Sequence, residues 1–364
     1  MTTTTTDSLR VSDASAVSIR AVPAQFPSLD VINELCLHDE AEVVVPHLQD
    51  KLLSPLGEFV SRPSKVIRAS LVQAGFDAAK AALQAEPTAM SPEEQKNLEI
   101  CASVVEYLHA GSLIVDDVQD NSLARRGAPC YHRMHGVPEA LTAGNWLYVW
   151  PLRLLRELTN DPALKNRLYE YYHDTLERAH YGQSLDVGIR VDEIEQAEVA
   201  RLSAWVTRYK TGALTALALQ LGASIGGASS QLIASLSKFG HDFGSLLQRY
   251  DDLGNFLGHS QLEKKHEDLK ERRLSWVWAV VADHYDQAAY QEFKLAVSKL
   301  PDETTLDTWA KNHRFSEVAR KASDASRHQL EEFLAHDTWQ LGENVSQHLT
   351  KLCERLSYAY TKKL

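Results

Sequence analysis

The chain has 364 residues, of which 44% are hydrophobic and 24% are charged, a balance typical of a globular protein with a large buried core. Its 38 basic and 49 acidic residues give a formal net charge of −11, which argues against a nucleic-acid-binding protein. The four cysteines show no paired spacing, so we expect reduced thiols and no disulfide or zinc framework. No apolar run approaches the roughly 18 residues that would predict a membrane span.

The first 28 residues differ from the rest of the chain. Residues 1–28 are rich in Thr and Ser and short of large apolar side chains, which predicts a disordered N-terminal tail. Asp7 and Asp13 weaken an alternative interpretation of this segment as an organellar transit peptide. We therefore expect one folded domain over residues 29–364 and a cytoplasmic location.

Beyond the tail, apolar residues recur at spacings of three and four, the pattern of helices that bury one face. The predicted helices, in chain order, cover residues 30–53, 64–85, 92–120, 137–159, 163–189, 195–223, 229–258, 274–299, 303–312, 315–340 and 342–362. Strand-like alternation is scarce, so the sequence predicts an all-α fold, a single large helical bundle.

The best-marked helix, 92–120, ends in an acidic motif. Ser91 is its predicted N-cap, and Glu94 completes a capping box. Apolar residues then recur as far as Val115, which predicts that most of this helix is buried. The sequence DDVQD follows directly.

The DDVQD motif places three carboxylates at one helix end. Asp116 and Asp120 are four residues apart and share a helix face, with Asp117 about 100° around the axis. Acidic side chains at a helix C-terminus oppose the helix dipole, so they need a compensating cation. Carboxylate oxygens suit Mg²⁺, which commonly binds phosphates at the same time. A magnesium site and a solvated helix end are the two interpretations of this motif.

A second acidic motif, LLQRYDDLGN, also follows an apolar helical run. Gln248, Asp251, Asp252 and Asn255 are spaced so that they share one side of a helix. Two acidic patches, each at the end of a buried helix, can face each other across a cavity in a helical bundle. Together they would hold several Mg²⁺ ions.

Basic residues that could bind a diphosphate are spread along the chain. The candidates are Lys65, Arg68, Arg125, Arg126, Lys210, Lys270 and Arg273, with a hydroxyl from Thr211 beside Lys210. Singly, such residues are more often surface side chains whose stems pack on apolar neighbours. Arg125 and Arg126 are the most informative pair, because Gly127 lets the backbone turn both guanidinium groups toward a ligand.

Taken in order, these motifs resemble those of the trans-isoprenyl diphosphate synthases, most closely the geranylgeranyl diphosphate synthases of the eukaryotic type. The matching segments lie between about residues 55 and 278 and read SKVIR, VEYLHAGSLIVDDVQDNSLARRGAP, GNWLYVW, YGQSLDVG, YKTGAL, LLQRYDDLGN and HEDLKERRLSW. The resemblance implies a helical bundle of the isoprenoid synthase type with a central active-site cavity.

The resemblance also implies a role for each matching residue. The implied Mg²⁺ ligands are Asp116, Asp117, Asp120, Asp251 and Asp252. The implied ligands of the allylic diphosphate are Arg125, Lys210 and either Lys270 or Arg273. The implied ligands of isopentenyl diphosphate are Lys65, Arg68, His109 and Arg126. The polar residues implied at the reacting centre are Thr211 and Gln248, with Gln183 and Asp186 in the Gly-Gln-x-x-Asp segment.

Three positions depart from the family's pattern. The second motif ends in Asn255 and not in a third aspartate, which is usual in the eukaryotic-type geranylgeranyl subgroup. The basic motif SRPSKVIRA lacks the Gly-Gly before Lys65 and the proline after Arg68. Arg272 and Arg273 stand where Gly-Lys is usual, so the charge is kept while the role of each arginine is open.

The activity implied by the resemblance is the Mg²⁺-dependent condensation of isopentenyl diphosphate with an allylic diphosphate. Ser112 and Gly111, four and five residues before Asp116, are small, so we expect a deep apolar channel and the C20 product geranylgeranyl diphosphate. The family's members form homodimers, and we expect one here.

Three alternatives are weighed against this activity. A prenyltransferase with a non-isoprenoid acceptor fits the altered surroundings of Lys65. A terpene cyclase shares the fold and could use the tryptophans to stabilise carbocations, but Asn255 and His259 stand where such a cyclase needs Ser or Thr and Glu. A non-catalytic partner subunit is disfavoured by the complete DDVQD motif.

Overall fold

The computed structural model describes residues 41–63, 67–83, 90–258, 265–337 and 341–361. Its helices, in chain order, are α1 (Ala41–Leu48), α2 (Ser54–Ser61), α3 (Ile67–Ala82), α4 (Pro92–Gln119), α5 (Tyr131–His135), α6 (Val137–Glu157), α7 (Pro162–Gly188), α8 (Gln196–Thr207), α9 (Ala213–Ile225), α10 (Ser230–Leu257), α11 (Glu267–Lys270), α12 (Trp276–His284), α13 (Gln287–Val297), α14 (Thr304–Asn312), α15 (Phe315–Ala335) and α16 (Glu343–Thr361). The two strands are β1 (Ala124–Arg125) and β2 (Ala128–Pro129). The predicted all-α fold is confirmed.

Helix α4 begins and ends close to the predicted residues. The Glu94 backbone N–H donates to Ser91 Oγ (3.2 Å), and the Ser91 N–H donates to the Glu94 carboxylate (2.9 Å), which is the predicted capping box. Asp120 is the C-cap residue, so the acidic motif occupies the last turn. The boundary between the predicted tail and the predicted domain, at residue 28, lies outside the described residues.

Several predicted helices are interrupted in the structure. A π-helical turn, Arg208–Gly212, lies between α8 and α9, inside the predicted helix 195–223. The predicted helix 274–299 is divided into α12 and α13, with Asp286 as the N-cap of α13. A π turn adds one residue to a helical repeat and is often found at functional sites.

Two large hydrophobic clusters make up most of the core of the described residues, beside a small one of Val45 and Leu53. The larger cluster packs α3, α4, α6 and α9 together with the first part of α10. The second packs α12, α13 and α14 against α8 and the last turn of α10, where Leu253 and Phe256 are buried. Helix α10 therefore runs from one cluster into the other, and the second acidic motif lies where the two meet.

The strands β1 and β2 form a tight antiparallel hairpin directly after α4. Its two turn residues, Arg126 and Gly127, have φ of 56° and 77°, the left-handed conformations that a two-residue hairpin turn requires. The buried Arg62 side chain donates to the backbone carbonyls of Pro129 (2.9 Å) and Arg125 (3.3 Å) and pairs with Glu58 (2.9 Å). The hairpin that carries both arginines is therefore held from below by α2 and the residue after it.

Within the described residues, one helix, α4, is long and apolar enough to cross a membrane by length and composition. In the most apolar 18-residue stretch of α4, 67% is buried inside the protein, as in the core helix of a bundle. Among the described residues, Cys101, Cys130 and Cys353 are buried and form no disulfide.

Candidate active site

A cavity of about 540 Å³ opens between the ends of α4 and α10. Its polar wall includes Arg68, His109, Asp116, Asp120, Arg125, Arg126, Gln183, Asp186, Lys210, Thr211, Gln248, Asp251, Asn255, Glu267, Asp268 and Arg273. Its apolar wall includes Leu108, Leu113, Val115, Leu176, Leu214 and Leu247. Both acidic motifs and most of the predicted basic residues therefore meet at one cavity.

Asp116 is the first acidic residue on the cavity wall. Its Oδ1 accepts from Lys210 Nζ and from Gln183 Nε2, both at 2.9 Å. Burial would raise the pKa of Asp116, but the charge and hydrogen bond of Lys210 and the hydrogen bond of Gln183 outweigh it and lower the pKa to about 2. The carboxylate is therefore ionised at any working pH.

Asp120 lies one turn further along the same helix face. Arg273 Nη2 donates to its Oδ1 (2.5 Å), and Arg273 Nη1 donates to the backbone carbonyl of Asp186 (3.1 Å). Burial and the neighbouring Asp116 charge nevertheless raise the pKa of Asp120 to about 6. Arg273 therefore offsets only part of the cost of burying a second charge beside Asp116.

Asp117 has a different position from its two neighbours. Its side chain is fully buried, at 0% exposure, and is absent from the cavity wall. It accepts two hydrogen bonds from Arg125 Nε (2.9 and 3.0 Å) and one from Arg125 Nη2. The Asp117 carboxylate therefore holds Arg125 in this structure, and its role as a metal ligand stays a prediction.

The second motif divides in the same way. Asp251 and Asn255 line the cavity, whereas Asp252 is buried beneath it. Asp252 accepts from Gln248 Nε2 (2.7 Å) and from the backbone N–H of Trp276 (2.8 Å), and burial raises its pKa to about 6. The predicted metal ligand Asp252 therefore lies behind the wall, where it ties α10 to α12.

Lys210 and Thr211 lie on the π turn and face the cavity. Lys210 Nζ bridges Asp116 Oδ1 (2.9 Å) and Asp186 Oδ2 (2.7 Å), and these carboxylates raise its pKa against the opposing effect of burial. The Thr211 hydroxyl donates to Gln248 Oε1 (2.7 Å). The side-chain amide of Gln248 is thus oriented by one contact on each side.

The basic side of the cavity brings together three predicted residues, Arg68, His109 and Arg126. Burial, with the charges of Arg68, Arg126 and Arg125, lowers the pKa of His109 well below its ordinary value. The His109 imidazole is therefore neutral at pH 7 and can donate one hydrogen bond to an anion without adding charge. Lys65 lies outside the described residues.

Of the two predicted late cations, only one reaches the cavity. Arg273 lines the wall, while Lys270 is exposed on α11 and is not among the lining residues. Arg272, at the position where the family commonly has glycine, has φ of 57° and donates from Nη1 to Asp192. Its carbonyl accepts from the Val191 backbone N–H (3.0 Å).

The two residues predicted to set chain length have different surroundings. Ser112 lines the cavity, and its hydroxyl donates to the His109 carbonyl (2.8 Å). Gly111 faces α6, where a Cβ atom would lie 2.8 Å from the Gly144 carbonyl oxygen and 2.9 Å from Leu147 Cβ. Gly111 therefore permits the close approach of α4 and α6. Of the two residues, Ser112 is the one placed to affect the depth of the channel.

Asp268 is a site residue that the sequence did not single out. It lies on the cavity wall, and burial with the nearby charges of Asp252 and Asp186 raises its pKa well above the ordinary value. The neighbouring Glu267 accepts from the Ser122 hydroxyl (2.8 Å), which joins α11 to the end of the first motif. Asp268 lies in the EDL segment of the matching motif HEDLKERRLSW, in which the resemblance implied roles only for basic residues.

The carboxylates on this wall fit Mg²⁺. Asp116, Asp120 and Asp251 offer hard oxygen donors from the two facing motifs, the ligand type that this ion prefers. The raised pKa values of Asp120 and Asp268 show that another cation would stabilise their ionised forms. Asp117 and Asp252 would support this group from behind the wall.

Comparison with known proteins identifies the class. The polyprenyl synthetase family matches residues 49–310, and the chain belongs to this family, which confirms the resemblance inferred from the motifs.

Two relatives and one solved structure illustrate the match. Preasperterpenoid A synthase of Talaromyces verruculosus is 30% identical over 281 residues, 72% of this chain and 32% of that protein. Geranylgeranyl pyrophosphate synthase 2 of Zymoseptoria tritici is 33% identical over 227 residues, 62% of each protein. The structure of geranylgeranyl pyrophosphate synthase from Corynebacterium glutamicum, complexed with isoprenyl diphosphate and magnesium, has a TM-score of 0.69 at 26% identity and covers 90% of this chain and 94% of that one. The chain thus spans 32% of the first relative's length and 62% of the second's.

Proposed function

We propose that the protein is a Mg²⁺-dependent trans-prenyltransferase that condenses isopentenyl diphosphate with an allylic diphosphate to form geranylgeranyl diphosphate. The observation that carries this proposal is the meeting of two acidic helix ends and two groups of cations at one cavity with an apolar lining. Geranylgeranyl pyrophosphate synthases among the relatives, including the Zymoseptoria tritici protein, support the same product.

The first step is ionisation of the allylic diphosphate, which needs positive charge around the leaving group. Mg²⁺ bound to Asp116, Asp120 and Asp251 would supply most of that charge. Arg125 is held by the buried Asp117, and Lys210 is held between two carboxylates. Both donors are therefore fixed before substrate arrives and need little reorganisation as charge develops.

The second diphosphate is bound by the basic group of Arg68, His109 and Arg126. Arg126 lies at the tip of the hairpin that also carries Arg125, so the two arginines can serve two different diphosphates on one rigid element. This arrangement supports isopentenyl diphosphate as the acceptor, because a cyclase that binds a single diphosphate has no use for a second basic group. Catalysis at this step is by positioning the alkene next to the cation.

The apolar wall protects the carbocation from water. Leu108, Leu113, Leu176 and Leu214 line the cavity, and Ser112 adds little bulk. A cavity with the small residue Ser112 next to the first motif supports a product longer than C15, and we propose the C20 chain.

We also propose that the protein works as a homodimer in the cytoplasm. Val137, Leu141 and Val149 expose 46%, 38% and 64% of their surface along helix α6, and these apolar side chains could pack against a second copy. The described cysteines are buried and form no disulfide, which fits a reducing compartment. Light scattering after size exclusion tests the dimer, which Val149→Glu should weaken.

The activity is tested with purified protein, Mg²⁺, isopentenyl diphosphate and allylic primers of C5, C10 and C15, with products identified by mass spectrometry. We expect geranylgeranyl diphosphate from each primer, and none when isopentenyl diphosphate is omitted or EDTA is added. Asp251→Asn should lower the rate about 100-fold or more, while the exposed control Asp307→Asn on α14 should not. Absence of any isopentenyl-dependent product contradicts the proposal, and a C15 end product contradicts the chain length alone.

A further inference from the structure

A second cavity, of about 530 Å³, lies on the other side of α10 from the active-site cavity. Leu246 and Arg249 of α10 line the second cavity, whereas Leu247, Gln248 and Asp251 line the first. The other walls of the second cavity come from α8, α12 and α15. The cavity exists because many of the side chains that line it are small, namely Ala200, Ser203, Ala204, Ser245, Ala279 and Ala322.

The lining has an apolar part and a polar part. Trp276, Leu246, Leu330 and Phe333 form the apolar part, between the ends of α12 and α15. At the polar part, the Arg249 guanidinium donates to Ser326 Oγ. A ligand with an apolar body and a polar head would match both parts at once.

Arg249 is a partly buried cation that has no ion pair among the described residues. Among the described residues, Ser326 is the polar partner of its guanidinium, and no carboxylate oxygen lies within 4.0 Å of it. Burial lowers the pKa of Arg249, and the more distant Asp242 charge only partly opposes this. A partly desolvated charge whose partner is a neutral hydroxyl is costly, so an anion at this point would stabilise the folded protein.

The other charged residues around the cavity favour an anion with a single negative charge. Arg208 is already paired with Asp242, with Nη1 2.5 Å from Oδ1. Asp242 and Asp283 also line the cavity, so a diphosphate with several negative charges would be repelled by both carboxylates. A carboxylate carries one charge and matches the planar fork of a guanidinium.

We propose that the second cavity is a binding site for an amphiphilic carboxylate. The carboxylate group pairs with Arg249 and accepts a hydrogen bond from Ser326, and the apolar body packs on Trp276, Leu246 and Phe333. This site is separate from prenyl transfer, and its ligand is not a prenyl diphosphate.

The proposal is tested by isothermal titration calorimetry of the full chain with decanoate, and with decanol and decyl phosphate as matched probes. Decanoate should bind at least tenfold more tightly than either. Arg249→Met should weaken decanoate binding about tenfold or more, since it removes a charge-assisted pair, and Arg249→Lys should restore part of it. Ala325→Trp, at an exposed wall position of α15, should also weaken binding by obstructing the cavity.

Two control variants locate the bound ligand. Arg201→Gln, exposed on α8 outside the cavity, and Arg125→Met, in the active-site cavity, should both keep the wild-type affinity for decanoate. Circular dichroism of every variant establishes that each is folded. Lack of binding to the wild type, equal affinity for decanol, tighter binding of decyl phosphate, or an Arg249→Met variant that binds like the wild type would each overturn the proposal. None of these measurements depends on prenyl transfer. A negative result would therefore overturn the proposed carboxylate site and leave the proposed prenyltransferase activity untouched.

Discussion

Asp117→Asn should lower the free energy of unfolding, whereas Asp120→Asn should leave it unchanged or raise it, although the two residues belong to one motif. Asp117 is fully buried and holds Arg125 through two Nε contacts of 2.9 and 3.0 Å. Asp117→Asn leaves that guanidinium without a compensating charge, and breaking a buried ion pair in this way costs about 3–5 kcal/mol. With an unfolding entropy of roughly 2.1 cal/mol/K per residue, the melting temperature of a chain of this length should fall by about 4–7 °C.

Asp120 behaves differently because burial and the Asp116 charge raise its pKa to about 6. The ionised form is therefore less stable in the folded protein than in the unfolded chain, by on the order of 3 kcal/mol at pH 7. Asp120→Asn removes this penalty, so the variant should be as stable as the wild type or more stable. The carboxyl takes up a proton on folding between about pH 4 and pH 6. The gain should therefore shrink as the pH falls through 6 and vanish below about 4.

Urea unfolding in EDTA at pH 7 and pH 5 measures both effects, with Asp307→Asn as the exposed control. Both active-site variants should lose prenyl transfer, one through a misplaced Arg125 and the other through the metal site. Equal destabilisation by the two substitutions, or a stable Asp117→Asn protein, would refute the assignment of one aspartate to the arginine and the other to the cavity.

Three further predictions follow from local contacts. Ser112→Phe should shorten the main product by mass spectrometry, whereas Gly111→Phe should mainly lower the melting temperature, because its side chain would meet α6 and not the cavity. Arg62→Ala frees the hairpin carbonyls and should lower kcat/KM for isopentenyl diphosphate about tenfold, with unchanged values counting against the support role. Burial and Arg208 lower the pKa of His241 to about 4, so the wild type should lose up to about 3 kcal/mol of stability as the pH falls from 6.5 to 4, and His241→Gln should flatten that slope in pH-dependent unfolding.

Local patterns predicted the helix that carries the first motif, because its determinants are close in sequence. The capping box of Ser91 and Glu94 and the apolar period of α4 depend on residues within one or two turns. The same holds for the turn at Gly127, where a positive φ was required by the geometry of a short hairpin. The meeting of the two acidic motifs could be predicted from their equivalent places at helix ends.

The separation of neighbouring aspartates could not be predicted from spacing. Asp117 is turned from the cavity because the hairpin brings Arg125 back onto it, and Asp252 because α12 presents the Trp276 N–H to it. Both partners come from later parts of the chain, so no helical period encodes them. The π turn is similarly hidden, since one extra residue before Thr211 hardly disturbs the apolar pattern of the predicted helix.

Arg272 gives this chain a constraint on how it can be redesigned. A residue with a side chain at φ 57° is strained, so replacing it with the glycine common in the family would be a natural choice for raising stability. That change would also remove the guanidinium that binds Asp192, and the loop it anchors continues directly into Arg273. Positions 192 and 272 should therefore be changed together. A library of variants that changes each position separately would select against the combination in which neither residue loses its partner.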